Sequence, residues 1–123
     1  MNKNYWGFHL ILDCADGRRD AVTDGKLIAD FARQLVKDID MVAYGEPQIV
    51  HFGKGDPKLA GWTVVQLIET SNIVAHFNDL DGSACIDVFS CKPFSAEVVL
   101  RHVLGWFDPE EISTNYQKRL KTA

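Results

Sequence analysis

The chain is 123 residues long, 46% hydrophobic and 24% charged, with a net charge of −4 at pH 7. That length holds one domain, and that apolar share is enough for a core without disulfides. The acidic balance argues against a phosphate-tracking nucleic-acid binder, because the densest basic run is the short Lys118-Arg119-Leu120-Lys121.

No apolar run approaches the roughly 20 residues of a membrane span. The start, Met1-Asn2-Lys3-Asn4-Tyr5-Trp6, lacks the apolar stretch of a secretory leader. The expectation is a cytoplasmic protein with no membrane or nucleic-acid partner. Cys14, Cys85 and Cys91 are odd in number and lack paired ligand spacing, so free thiols and no metal are expected.

Trp6 to Cys14 reads as a strand around His9-Leu10-Ile11-Leu12, and Gly17-Arg18-Arg19-Asp20 as a polar connection. Asp24 is placed to cap a helix from Gly25, in which Leu27, Ile28, Phe31, Leu35 and Ile39 form one apolar stripe. Tyr44-Gly45-Glu46-Pro47 is a turn, Gln48 to Phe52 a short strand and residues 53–57 a loop. Gly53-Lys54-Gly55 within that loop is too short for a phosphate loop. Trp62 to Glu69 is rich in strand formers, and Asn72 to Phe77 continues after a kink at Thr70-Ser71. The turn at 78–82 leads to a partner strand, Ala84 to Ser90. Ser95 is placed to cap a second helix carrying Val98, Val99, Leu100, Val103, Leu104 and Phe107, and Glu111 to Gln117 is a last strand.

The order β-α-β-β-β-β-α-β, with short turns between strands, predicts an α+β two-layer sandwich. A mostly antiparallel sheet carries two helices on one face, and its other face is left for a second subunit or a ligand. Trp62, Trp106 and Phe107 read as core or interface aromatics, and His51 and His102 as lone histidines without ligand spacing.

Two adjacent strands deliver a hydroxyl, an imidazole and a thiol: Ser71, His76 and Cys91. Each has an ordinary structural use, as a turn serine, a satisfied histidine and a small buried hydrophobe. Each also has a chemical one. A serine beside a strained peptide can attack the preceding carbonyl. A histidine works as a base near neutrality. A thiol at a strand end, before Lys92-Pro93, can donate a proton. Alternation puts Cys85, Asp87, Phe89 and Cys91 on one face of their strand. No nucleophile-elbow motif accompanies Ser71, which speaks against a hydrolase.

The order and spacing Ser71, His76 and Asp87-Val88-Phe89-Ser90-Cys91 resemble the small prokaryotic class of pyruvoyl-dependent S-adenosylmethionine decarboxylases, over most of the chain. The resemblance implies self-cleavage between Thr70 and Ser71, with Ser71 becoming the pyruvoyl cofactor. It implies His76 as processing residue, Cys91 as catalytic acid, and Thr63 where the family has a processing serine. It implies decarboxylation of S-adenosylmethionine for spermidine synthesis, by a homodimer with its site near the interface. The chain departs from the pattern at Thr70-Ser71-Asn72, where the family has Glu-Ser-His, and at Asn78-Asp79-Leu80, where it has Trp-Pro-Glu. Asp79 and Asp81 are then the carboxylates left to hold substrate, and Phe52 the aromatic for adenine. Two alternatives follow from the departures: a pyruvoyl-dependent arginine or ornithine decarboxylase on the same fold, or an unprocessed homologue acting as a regulatory or ligand-binding partner.

Overall fold

A computed structural model describes residues 4–53 and 55–122. Lys54, in the middle of the expected 53–57 loop, lies outside the described residues, as do residues 1–3 and 123. In chain order the elements are β1 (Tyr5–Ala15), α1 (Arg19–Val22), α2 (Gly25–Asp38), β2 (Gln48–Phe52), β3 (Gly61–Ile68), β4 (Ser71–Phe77), β5 (Ala84–Ser90), α3 (Ala96–Phe107) and β6 (Glu111–Lys121). The strands form one six-stranded sheet in the order β2-β3-β4-β5-β1-β6, antiparallel at every pairing. The architecture is therefore the α+β layer arrangement that the sequence predicts, with a third, short helix added.

Period-two patterning sets the two faces. Phe8, Leu10, Leu12 and Cys14 of β1, Ile73, Ala75 and Phe77 of β4, and Ala84, Ile86, Val88 and Ser90 of β5 are all buried. All of these but Phe8 and Ser90 join Ile28, Phe31, Leu35, Val99, Val103 and Phe107 from the helices in one core. Phe107 is the hinge of this core: its ring centroid lies 4.8 Å from that of Phe31 and 4.8 Å from that of Phe77. Fully burying one such side chain contributes about 1.5–3 kcal/mol. Both helices start where expected. Asp24 Oδ1 accepts from the Leu27 N–H at 3.1 Å, and Ser95 Oγ from the Val98 N–H at 3.2 Å, each cap worth about 1 kcal/mol.

Two elements differ from the sequence reading. Arg19–Val22 is a helical turn rather than a plain polar connection. Ala21 and Val22 are fully buried, and Arg19 donates to Leu80 O and Gly17 O, so tertiary contacts hold the turn. The last strand runs on to Lys121, four residues past Gln117. It is an edge strand, largely exposed on both faces, so its polar sequence carries little alternation.

Gly61 opens β3 against the end of β4, where an added Cβ would run into Phe77 O. Glycine is required there by space. The opposite, odd-numbered set of β1, β3 and β5, and the even-numbered set of β4, make a face that no helix covers. It carries Thr63, Val65, Leu67, Asn72, Val74, His76, Cys85, Asp87 and Phe89, partly or fully exposed. No helix among the described residues is long and apolar enough to cross a membrane.

Candidate active site

At one end of the sheet, β3 turns through Glu69-Thr70 into β4, and β5 finishes beside it. Ser71 is the cross-strand partner of Ser90, so Cys91 follows directly alongside Thr70. The Cys91 N–H donates to the Thr70 carbonyl oxygen at 3.1 Å. That carbonyl is the one that a nucleophilic Ser71 hydroxyl would attack, and an N–H already pointed at it stabilises negative charge on the oxygen. Asn72 Nδ2 donates to Ser71 Oγ at 3.3 Å. The Thr70 hydroxyl accepts from Ser90 Oγ at 2.7 Å and donates to Met41 Sδ at 3.3 Å. Ser90 Oγ in turn accepts from the Lys92 N–H at 3.0 Å. The residue before Ser71 is thus held through both its carbonyl and its side chain.

At the other end of the β4–β5 pair lies a second cluster. Thr63 Oγ1 stands 2.8 Å from His76 Nδ1. The register sets Thr63, His76, Cys85 and Asp13 side by side across four strands on the uncovered face. His76 is exposed, and Cys85 is exposed next to it. Desolvation, and then the Asp13 carboxylate, push the Cys85 thiol up from its ordinary value, so it stays protonated. Phe52 ends β2 on the same face, 53% exposed, and borders a hollow of about 170 Å³ that also touches Thr63.

The carboxylates of the 78–82 turn lie at this second end. Asp79 Oδ2 is 2.6 Å from His51 Nε2, and the ring of His51 stands edge-on to Trp62 at 5.0 Å. Asp81 Oδ1 accepts from the Ser83 N–H at 2.8 Å, and the Ser83 hydrogen bonds hold its carboxyl below the usual range.

The structure therefore joins Thr70, Ser71 and Cys91 at one end; at the other it pairs Thr63 with His76 and sets Phe52 and Thr63 around one hollow, while Asp79 and Asp81 lie in the adjoining turn with contacts of their own. It does not bring Ser71 and His76 together within the chain. Five strand residues separate them, about 16 Å of backbone, against a hydrogen-bond reach of about 3 Å. Sequence reasoning missed Ser90, Met41 and Asn72 around the Thr70–Ser71 peptide, and His51 as the partner of Asp79. It also missed the pairing of His9 Nε2 with Asp87 Oδ1, 2.9 Å apart on the uncovered face. Strand alternation offers a signal for that pair. Nothing local signals Met41, which is 29 positions from Thr70.

The family model described as S-adenosylmethionine decarboxylase matches residues 8–120. The chain belongs to this family. The solved structure of an adenosylmethionine decarboxylase from Aquifex aeolicus VF5 matches it with a TM-score of 0.82 and 21% identity, over 97% of this chain and 94% of that one. At that identity the likeness is one of fold. None of the curated proteins matches the chain. The residues that family membership would turn into a pyruvoyl site fit the group chemically. Ser71 supplies the β-oxygen, and the Thr70 carbonyl ahead of it already meets a donor. Among the described residues, no group of three or more His, Cys, Asp or Glu side chains is placed to hold a metal ion.

Proposed function

We propose that this protein is a self-processing, pyruvoyl-dependent decarboxylase of S-adenosylmethionine. The observation that carries the reading is the Cys91 N–H on the Thr70 carbonyl oxygen, immediately ahead of Ser71. Ser71 Oγ attacks the Thr70 carbonyl carbon, and the developing oxyanion sits on the Cys91 N–H. The Thr70–Ser71 amide bond breaks, which leaves an ester and a free Ser71 amine. A base then removes the Ser71 α-proton. The Cβ–O bond breaks, Thr70 departs as a carboxylate, and dehydroalanine remains. Its imine tautomer takes up water and loses ammonia, so the new chain begins with a pyruvoyl group. His76, with Thr63 at 2.8 Å, is the base and proton carrier of these steps.

The pyruvoyl group supplies an electron sink for the pair released as carbon dioxide leaves the substrate. The chain's own residues do the rest. Cys91 returns a proton to the substrate α-carbon. Phe52 gives a flat apolar surface for the adenine. Asp79 and Asp81 bring negative charge toward a cationic substrate. The product would feed spermidine synthesis.

A homodimer reconciles this chemistry with the 16 Å separation of about five strand residues. Two copies paired through their uncovered sheet faces, about a two-fold axis crossing near Val74 and Asp87, lay the Thr63–His76 pair of one copy over Ser71 and Cys91 of the other. Leu67, Val50, Val65, Val74 and Ile11 supply apolar area for that contact.

The test is intact mass on matured wild-type protein, followed by a substrate panel. Two fragments with the break before Ser71, and carbon dioxide released from S-adenosylmethionine, are expected. Release from arginine or ornithine alone would move the substrate assignment to those amino acids. A single uncleaved species of 13.8 kDa, inert toward every candidate amine, would leave a non-catalytic homologue.

A further inference from the structure

On the helix side of the sheet, α2 and the segment 41–47 enclose a cleft of about 350 Å³. This is the size of a small-molecule site. It is separate from both ends of the candidate active site, and nothing in the proposed reaction uses it. Val36, Met41, Val42 and Pro47 form its apolar floor and wall. Met41 and Val36 are buried, whereas Val42 is 57% exposed at the mouth.

The polar groups around this floor are few and of distinct kinds. Gln66 lines the cleft and is fully buried. Its Nε2 donates to Leu67 O at 2.7 Å and Gly45 O at 3.3 Å, which fixes the amide's orientation. Its Oε1 is left with no donor among the described residues. Leaving a buried acceptor without a donor is unfavourable, so a donor brought by a ligand has something to gain. At the rim, Arg33 bonds Glu46 and Asp30. Lys37 makes no ion pair among the described residues. The cleft therefore asks for three things in one small molecule: an apolar body, a hydrogen-bond donor for Gln66 and a negative group for Lys37. An aliphatic α-amino acid has all three.

The cleft is linked to Thr70 through one shared neighbour, Met41. The segment 41–47 is fastened to the end of β3: the Tyr44 N–H donates to Leu67 O and the Glu69 N–H to Val42 O, both at 2.9 Å, and Ala43 bridges Ile68. Met41 forms part of the cleft wall, and its sulfur accepts from the Thr70 hydroxyl at 3.3 Å and from Ser90 Oγ at 3.7 Å. One side chain thus stands between the cleft and the residue whose carbonyl Ser71 attacks. We propose that this cleft binds an aliphatic α-amino acid, which acts through Met41 as an effector of the Thr70–Ser71 peptide. The effector role rests on the self-processing reading; the binding itself does not.

Met1 and Met41 are the only methionines. Labelling methionine methyls with carbon-13 in the full-length Ser71→Ala chain, which cannot self-cleave, gives an assignable Met41 signal. Titration with L-leucine shifts that signal saturably, with a Kd below about 10 mM. L-leucinamide and 4-methylpentanoate, each lacking one charged group, bind about tenfold more weakly or worse, a difference of about 1.4 kcal/mol. Lys37→Gln weakens L-leucine similarly, and Val42→Trp, a change at an exposed position, blocks it. At saturation the Thr70 and Ser90 amide signals move as well. No saturable Met41 shift, or a shift indifferent to both substitutions, overturns the site. A saturated Met41 signal with silent Thr70 and Ser90 overturns the effector role. Failure of wild-type protein to cleave would sink the proposed function instead and leave the binding result standing.

Discussion

The two half-sites make a quantitative prediction about mixed dimers. In the proposed reaction Ser71→Ala removes the nucleophile and His76→Ala the base, so each variant alone should stay uncleaved. The side chains concerned belong to opposite ends of β4, about 16 Å apart, so neither variant disturbs the other cluster. In a dimer paired through the uncovered faces, Ser71 of a His76→Ala chain meets the intact His76 of a Ser71→Ala partner. Equal co-expression gives mixed dimers in about half of all molecules, and each mixed dimer has one complete site and one doubly dead one. About half of the His76→Ala chains therefore cleave, which is about a quarter of all chains. Intact-mass spectrometry counts the fragments directly, with an affinity tag on one variant to tell the chains apart. If wild-type protein cleaves and the mixture yields nothing, each site is complete within its own chain, and the reasoning from strand length is wrong. If His76→Ala cleaves unaided at the wild-type rate, His76 is not the base.

Cys91→Ala separates processing from catalysis: the backbone N–H at Thr70 O survives, so cleavage persists, while loss of the thiol acid lowers kcat by about 10²–10⁴. The two rates are read by mass and by carbon dioxide release. Phe107→Ala empties the contact among Phe31, Phe77 and Phe107 and costs about 3–5 kcal/mol, measured as a lower urea midpoint with unchanged slope. Cys14 gives a pH dependence. Burial pushes its thiol from 9.0 up to about 11, so the folded state holds the proton more tightly than the unfolded one. The associated stability is complete below pH 9.0 and is lost as pH rises toward about 11, amounting to a few kcal/mol at about 1.4 kcal/mol per pK unit. Comparing Tm at pH 8 and above pH 10 for wild type and Cys14→Ala checks it: the variant should lose less.

What the sequence discloses, and what it withholds, follows from how far each signal reaches along the chain. The two β5 faces are legible because alternation needs only neighbours, which sets Cys85, Asp87 and Phe89 apart from Ile86 and Val88; which set is buried is not, and Cys85, readable as a small buried hydrophobe, is exposed. The α2 and α3 starts are legible because Asp24 and Ser95 act three residues away. The α1 turn is not, since four residues complete no periodic window and its burial depends on distant strands. At the candidate site, the order of residue types singles out Ser71, His76 and Cys91, yet it does not disclose how the fold groups them. Ser71 and Cys91 meet because a hairpin of seven-residue strands returns the chain to its starting point. His76 cannot join them, because the same strand that starts at Ser71 carries it steadily away. The strand rise alone forbids convergence within one chain, and that constraint turns a three-residue motif into an argument for a second subunit. Asp79 shows the complementary limit: its place in the turn is set by sequence, but His51, 28 positions earlier, occupies one of its oxygens at 2.6 Å, and the other oxygen is buried with no partner among the described residues.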